Sequence, residues 1–409
     1  MESQELMRSR HDATPFPLPT ENPADDAEKV AQWLLECTFF KPFTYRNPPK
    51  DPQKEFSDAL IIFDDTIIII QIKTKTSERS DTDWMTKHAN KASKQLNGSY
   101  RQLKDRLVKS FTNPIFSVQK DVGLSQYSYV YGMILLAGVI EVIDPLSLIE
   151  HKNKPVIPTV FVSISDLQII TKRVNTAADF IHYCEAHTKL AIQEAVPINH
   201  AIENLTRIAS QVPELLSEGR PVESFTGKHL LGFEWISRLF SGEVNCDPDY
   251  RYSLLVDDII SNSSNLDLEY SGPMSESLLN PLRIAEQLGW LDRKRRIELG
   301  KQLYQFAAAA RDGNTRFLAY MRPTMAVLFL FMYTVEERKA RQEQLYAFIR
   351  LAQVKYGVTR VLGIATEPIG SRRSYDLIWV EELLVKPETI FSNEIFGALP
   401  ELNRSLFME

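Results

Sequence analysis

EFSDALIIFDDTIIIIQIKTK, residues 55–75, decides the fold of the N-terminal half of this chain. Two apolar runs, 59–63 and 67–70, flank the pair Asp64-Asp65, which centres a hairpin loop. Facing residues in such a hairpin have constant number sums, so Phe63 pairs with Thr66 and Asp58 with Gln71, each pair summing to 129. Any turn type with the same centre keeps that register. Gln71 and Lys73 lie two apart and share one strand face, while Ile72 points to the other. Directly opposite residues bring their Cβ atoms to roughly 5 Å, so Asp58, Gln71 and Lys73 converge at one end of the hairpin.

The apolar runs have no polar alternation, which predicts a central hairpin covered on both faces. Ending it in an aspartate, a glutamine and a lysine is costly unless these groups have partners. They suit a divalent-ion site. Asp58 supplies a hard carboxylate oxygen, Gln71 a side-chain carbonyl and Ile72 a backbone carbonyl, the oxygen ligands that Mg²⁺ or Mn²⁺ takes while keeping several waters. Lys73 stands by the nucleophilic water, either lowering its pKa or stabilising charge on a phosphate in the transition state. The short half of the pattern recurs at Glu150/Lys152, Asp292/Lys294, Glu337/Lys339 and Gln353/Lys355, but none of these has a hairpin behind it.

Outward from this segment, Asn22-Pro23-Ala24-Asp25-Asp26 opens a helix running to about residue 40, with acids in its first turn. Residues 1–22 are polar and proline-containing and read as a flexible arm. A long basic helix is predicted over 86–109. It carries Lys87, Lys91, Lys94, Arg101, Lys104, Arg106 and Lys109 against the single acid Asp105. On a chain of net charge −6, that excess suggests a surface tracking phosphates, extended by Lys75 and Arg79. Trp84 is placed to stack a base or to pack in the core. Strands are expected at 127–142 and 157–164, and a helix at 177–191.

The order helix, hairpin, helix, strands predicts an α/β domain over 23–200. A helical region follows over 201–310, with its best linker at 214–227, and then a small C-terminal α/β unit over 311–409. That last unit shows strands near 316–320, 325–333, 360–365 and 374–380 around a helix at 336–356. The turn-rich loop 367–374 joins two of these strands.

A hairpin of the form D-x12-Q-x-K, preceded by a helix bearing glutamates and followed by a basic helix, resembles the PD-(D/E)xK nuclease superfamily, and the glutamine variant its Mrr-type branch. The resemblance covers roughly residues 25–185. It implies a restriction-endonuclease-like fold, a mixed sheet flanked by helices, and Mg²⁺-dependent endonucleolytic hydrolysis of DNA, as in restriction or phage defence. It places Asp58, Gln71 and Lys73 in the catalytic set and adds Glu28, or less well Glu36, from the first helix. Gln95 and Tyr100 would stand for a glutamine and tyrosine on the following helix. The pattern departs from the superfamily name in lacking a proline before Asp58 and in the neutral Gln71. DNA is the expected partner, contacted through Lys75, Lys87, Lys91, Lys94, Gln95, Arg101 and Lys104. RNA, self-association and a protein partner stay open, and so does a non-catalytic binding or assembly role for the same fold.

Other chemistries find no foothold. The histidines do not cluster, and no HxH, HExxH, Walker A, GxGxxG or GxSxG string occurs. The three cysteines, Cys37, Cys184 and Cys246, form neither a disulfide framework nor a zinc site, which points to a reducing cytoplasm. With 44% hydrophobic and 24% charged residues, no secretory leader and no apolar run of spanning length, the composition predicts a soluble protein with no membrane partner.

Overall fold

The computed structural model describes residues 17, 22–51, 54–115, 119–216, 229–263, 281–309, 316–322, 327–366 and 375–381. The arm before residue 17, most of the linker at 214–227 and the loop 367–374 lie outside these residues. The described chain is mixed α/β, with eleven α-helices, a five-stranded mixed sheet and smaller sheets. It divides into two compact units, 1–221 with 230–247, and 222–229 with 248–409. The segment 201–310 is therefore shared between the two units, because helical periodicity shows that a face is buried without showing in which core.

In the first unit, α1 (Pro23–Phe39) starts at Asn22, whose side chain accepts from the Ala24 amide. Strand β1 (Thr44–Arg46) follows, then a small ribbon of β2 (Pro49–Asp51) and β3 (Lys54–Glu55). The decisive hairpin consists of β4 (Ala59–Phe63) and β5 (Thr66–Thr74), paired from Phe63↔Thr66 to Ala59↔Ile70. This is the register expected from the sequence, closed by a two-residue turn in which Asp64 takes a φ of 49°. The ladder stops at Ala59, so Asp58 sits one residue beyond it.

Helix α2 (Asp81–Lys104) crosses from β5 to β8 (Tyr129–Ala137), which runs parallel to β5, and β9 (Thr159–Ser163) adds in parallel beyond. The sheet order is β1-β4-β5-β8-β9, which makes β5 the middle strand. The long helix starts earlier than its charge pattern suggests because Ser80 caps it, accepting from the Asp83 amide. It ends at Lys104, and Arg106 (φ 54°) and Lys109 lie beyond it. A short ribbon of β6 (Ser110–Thr112) and β7 (Gln119–Asp121) follows.

One face of the sheet, with Leu60, Ile62, Ile67, Ile69, Ile134 and Leu136, packs against Met85, Ala89, Ala92 and Leu96 of α2. On the other face Phe63 meets Phe39 of α1 and Phe43, edge to face at 6.2 and 5.0 Å, and Phe39 meets Phe180 at 5.4 Å. Phe180 belongs to α4 (Ala177–Gln193), which follows α3 (Ile164–Arg173). Both faces of β5 are thus covered, as the unbroken isoleucine run requires. The unit closes with α5 (Ala201–Ser210), α6 (Val212–Leu216) and α7 (His229–Ser241).

In the second unit, α8 (Ser253–Ser263), α9 (Pro281–Gly289) and α10 (Arg293–Ala309) precede the sheet β10 (Arg316–Arg322), β11 (Val327–Tyr333), β12 (Arg360–Thr366) and β13 (Tyr375–Val380). Helix α11 (Arg338–Tyr356) carries the chain between β11 and β12, which are parallel, and its Leu345, Ile349 and Ala352 pack on that sheet. The remaining pairs are antiparallel. No helix among the described residues is long and apolar enough to cross a membrane.

Candidate functional site

At the end of the hairpin, the Asp58 side chain takes over where the ladder stops. Its Oδ2 accepts the Ile72 amide at 2.6 Å, the place a backbone carbonyl would fill in a longer strand. The same oxygen accepts from Lys73 Nζ at 3.1 Å, and that ammonium also donates to the Ile72 carbonyl at 2.7 Å. One cation therefore sits between a carboxylate oxygen and a backbone carbonyl oxygen. Both side chains keep some water contact, 17% exposed for Asp58 and 13% for Lys73.

Gln71 shares the strand face of Ile67 and Ile69, the face that α2 packs against. It is 2% exposed, and its Oε1 has no hydrogen-bond partner among the described residues. A buried carbonyl oxygen left unmatched costs about 1–3 kcal/mol. The Asp58 side of the site is fastened from behind. Ser99 of α2 donates to the Phe56 carbonyl at 2.5 Å, and the Asn47 amide donates to the Asp58 carbonyl at 3.1 Å.

The two glutamates of α1 separate cleanly. Glu28 is held above the usual carboxylate range, first by burial and then by the negative charge of Asp58, against the pull of Arg46 and an Asn47 hydrogen bond. Glu36 is raised by burial too, but its hydrogen bond comes from Gln32 at 2.9 Å and the charges on it are Lys41 and Arg46. Only Glu28 feels Asp58.

Among the expected surface residues, Lys87, Lys91, Lys94, Gln95, Arg101 and Lys104 are all exposed along α2. Lys75 is not part of that surface. Its ammonium bonds to Asp81, which is 2% exposed and also accepts the amides of Ile140 and Glu141 at 2.8 and 2.9 Å. Burial alone would raise the Asp81 carboxyl, but Lys75 and the two amides outweigh it and hold the group low. The basic tract suggests a phosphate contact for Lys75, and the fold uses it as a clamp between β5, α2 and the segment after β8.

Trp84 is buried, and His88 stacks on it one helical turn later, with centroids 4.5 Å apart and planes 12° from parallel. Tyr100 packs against the core on the α2 face, while Gln95 faces solvent. Among the described residues, no group of three or more His, Cys, Asp or Glu side chains is arranged to hold a metal. Any metal here would have to draw on Gln71 and Ile72 oxygens beside a carboxylate. No family model matches the chain, and neither the curated proteins nor the solved structures compared with it give a match.

Proposed function

We propose that the first unit is a metal-dependent endonuclease domain of the restriction-endonuclease-like kind, acting on DNA phosphodiesters. One observation carries this reading. Asp58 Oδ2 and the Ile72 carbonyl already converge on a cation, the Lys73 ammonium, on the strand that also carries the buried Gln71, whose Oε1 has no hydrogen-bond partner among the described residues. Two hard oxygens around one positive charge, with a third oxygen orphaned, fit a small divalent ion such as Mg²⁺ or Mn²⁺. The order of elements supports the same reading: a helix carrying Glu28, an antiparallel hairpin carrying the site, a basic crossover helix and a parallel strand. Defence against foreign DNA is the role that this resemblance suggests.

Asp58, Gln71 Oε1 and the Ile72 carbonyl would hold the ion. When bound, it would lower the pKa of a water and offset charge on the phosphate. In hydrolysis a water oxygen bonds to phosphorus, the bond to one sugar oxygen breaks, and a proton reaches that leaving oxygen. Lys73 holds positive charge beside the site, where negative charge grows in the transition state. Glu28, whose carboxyl pKa is raised by burial and by the charge of Asp58, holds a proton more readily than an ordinary glutamate.

The test is nicking of supercoiled DNA by the full chain with Mg²⁺ or Mn²⁺, and with EDTA, beside Asp58→Ala and Lys73→Ala. The reading expects cation-dependent cleavage that both substitutions abolish. Folded wild-type protein that binds DNA but never cleaves it would support the non-catalytic alternative. Cleavage unchanged in both variants would remove the site.

A further inference from the structure

Helix α2 carries two kinds of side chain on one line. Lys87, Asn90, Lys94, Asn97 and Arg101 follow one another at alternating intervals of three and four, the spacing that puts residues on one side of a helix. The two asparagines grip the segment between β8 and β9. Asn90 donates to the Leu148 carbonyl at 3.0 Å and accepts the Glu150 amide and the Asn153 side chain, both at 2.9 Å. Asn97 donates to the Lys154 carbonyl at 3.0 Å and accepts the Val156 amide at 2.9 Å. Between them Ser93 donates to the Asn153 carbonyl. The segment is strapped along α2 and anchored at its two ends by the buried side chains of Ile149 and Ile157. His151, Lys152 and Lys154 on the strap are exposed.

Lys94 lies one helical turn from each of the two asparagines that hold the strap. Elsewhere in the first unit basic side chains are matched by acids: Lys75 by Asp81, Lys189 by Glu185 and Arg207 by Glu194. On the strap Lys152 has such a partner, Glu150, in an exposed pair at 2.9 Å. Lys87, Lys94, Arg101 and Lys154 have no ion pair among the described residues. Like charges held on one surface repel one another, and a polyanion turns that repulsion into attraction.

We propose that this ridge of α2 and the strap beside it form one docking surface for the sugar-phosphate backbone of a DNA duplex, carried by Lys87, Lys94, Arg101 and Lys154. The proposal rests on the nuclease reading and deepens it by naming the face of α2 that meets the substrate. Lys91 lies off this line, turned about 100° from Asn90. The hydrogen bonds from Asn90, Ser93 and Asn97 fix the strap before DNA arrives, so binding does not have to order it.

The experiment is binding of a labelled DNA duplex of arbitrary sequence to the full chain in EDTA, across a salt series, beside a thermal melt of each variant. Lys94→Ala combined with Lys154→Ala should melt like wild type and bind about tenfold more weakly, and the slope of log affinity against log salt should fall by roughly 2. Lys91→Ala removes a charge from the same helix off the ridge and should stay within about twofold of wild type. Asn97→Ala keeps every charge and loosens the strap, so it should bind about threefold more weakly at an unchanged slope. The surface does not exist if wild type binds no duplex, if the double variant binds like wild type with the same slope, or if Lys91→Ala loses as much as the double variant. Wild-type affinity in Asn97→Ala would overturn the part given to the strap. All binding is read without divalent ion, so a chain that binds in this way and never cleaves with Mg²⁺ would overturn the nuclease reading alone.

Discussion

One cation, Lys73, sits on Asp58 in the first unit, and two, Arg293 and Arg296, sit on Asp257 in the second. Asp257 accepts Arg293 Nη1 on one oxygen and Arg296 Nη1 on the other, each at 2.7 Å. Both arginines are fully buried. Arg293 also donates to Ser253 and lies over the Tyr250 ring at 5.0 Å, while Arg296 donates to the Leu291 carbonyl. These contacts turn inward and join α8 to α10. At Asp58 the same chemistry is left open, because the ion pair touches water. The Asp257 cluster is sealed from solvent, whereas the Asp58 pair can be reached by a ligand. That difference, together with the motif, makes the end of β5 the candidate site.

The largest expected effect falls on the closed cluster. Asp257→Ala would strand two buried guanidinium groups and should cost about 3–5 kcal/mol of folding stability. Urea denaturation of the full chain checks it, and a loss under 1 kcal/mol would mean the cluster relaxes to water. On the open cluster the balance should invert. Asp58→Ala removes one acceptor from the Ile72 amide and should cost on the order of 1–2 kcal/mol in the same denaturation. In the cleavage assay, Asp58→Ala and Lys73→Ala should each slow the reaction by about 10²–10³ or more. Equal losses of stability at Asp58 and Asp257 would erase the contrast.

A finer cut comes from Gln71. Gln71→Glu should preserve or raise cation-dependent cleavage by restoring a carboxylate ligand, and Gln71→Ala should lose it. If Ala is tolerated while Glu abolishes cleavage, Gln71 is not a ligand.

The smallest effect is at Glu28. Its folded-state pKa is raised, so its ionised form is disfavoured by folding. Its stabilising contribution is complete below the ordinary carboxylate pKa and is lost as pH rises through the folded value. Glu28→Gln should therefore melt about 1–2 °C higher than wild type near pH 7, and the gain should vanish in acid. A gain independent of pH would mean that charge is not its cause.

The hairpin was legible because its signals agree. The isoleucine run is apolar at every position, and the acidic pair can centre only one loop, so register follows by counting. What the register could not give was the end of the ladder, where the Asp58 carboxylate bonds to the Ile72 amide. The partner of Lys75 was hidden for a related reason. Asp81 lies outside the helix read over 86–109, and only the fold brings it to Lys75. Basic runs are equally ambiguous alone: the lysines of α2 face solvent, while Arg293 and Arg296 of a similar run are buried on Asp257. Charge in sequence says that a partner is needed, and packing decides whether water, a carboxylate or a phosphate is that partner. The stack of His88 on Trp84 was within reach, since residues four apart on a helix are neighbours.

The most direct test of the central claim is a crystal of the full chain soaked in Mn²⁺ and measured for anomalous scattering. The account predicts a peak within about 2.0–2.4 Å of Asp58, Gln71 Oε1 and the Ile72 carbonyl, with the Lys73 ammonium moved off Asp58. Well-ordered density in which Lys73 keeps both contacts, with no peak beside Gln71, would contradict it.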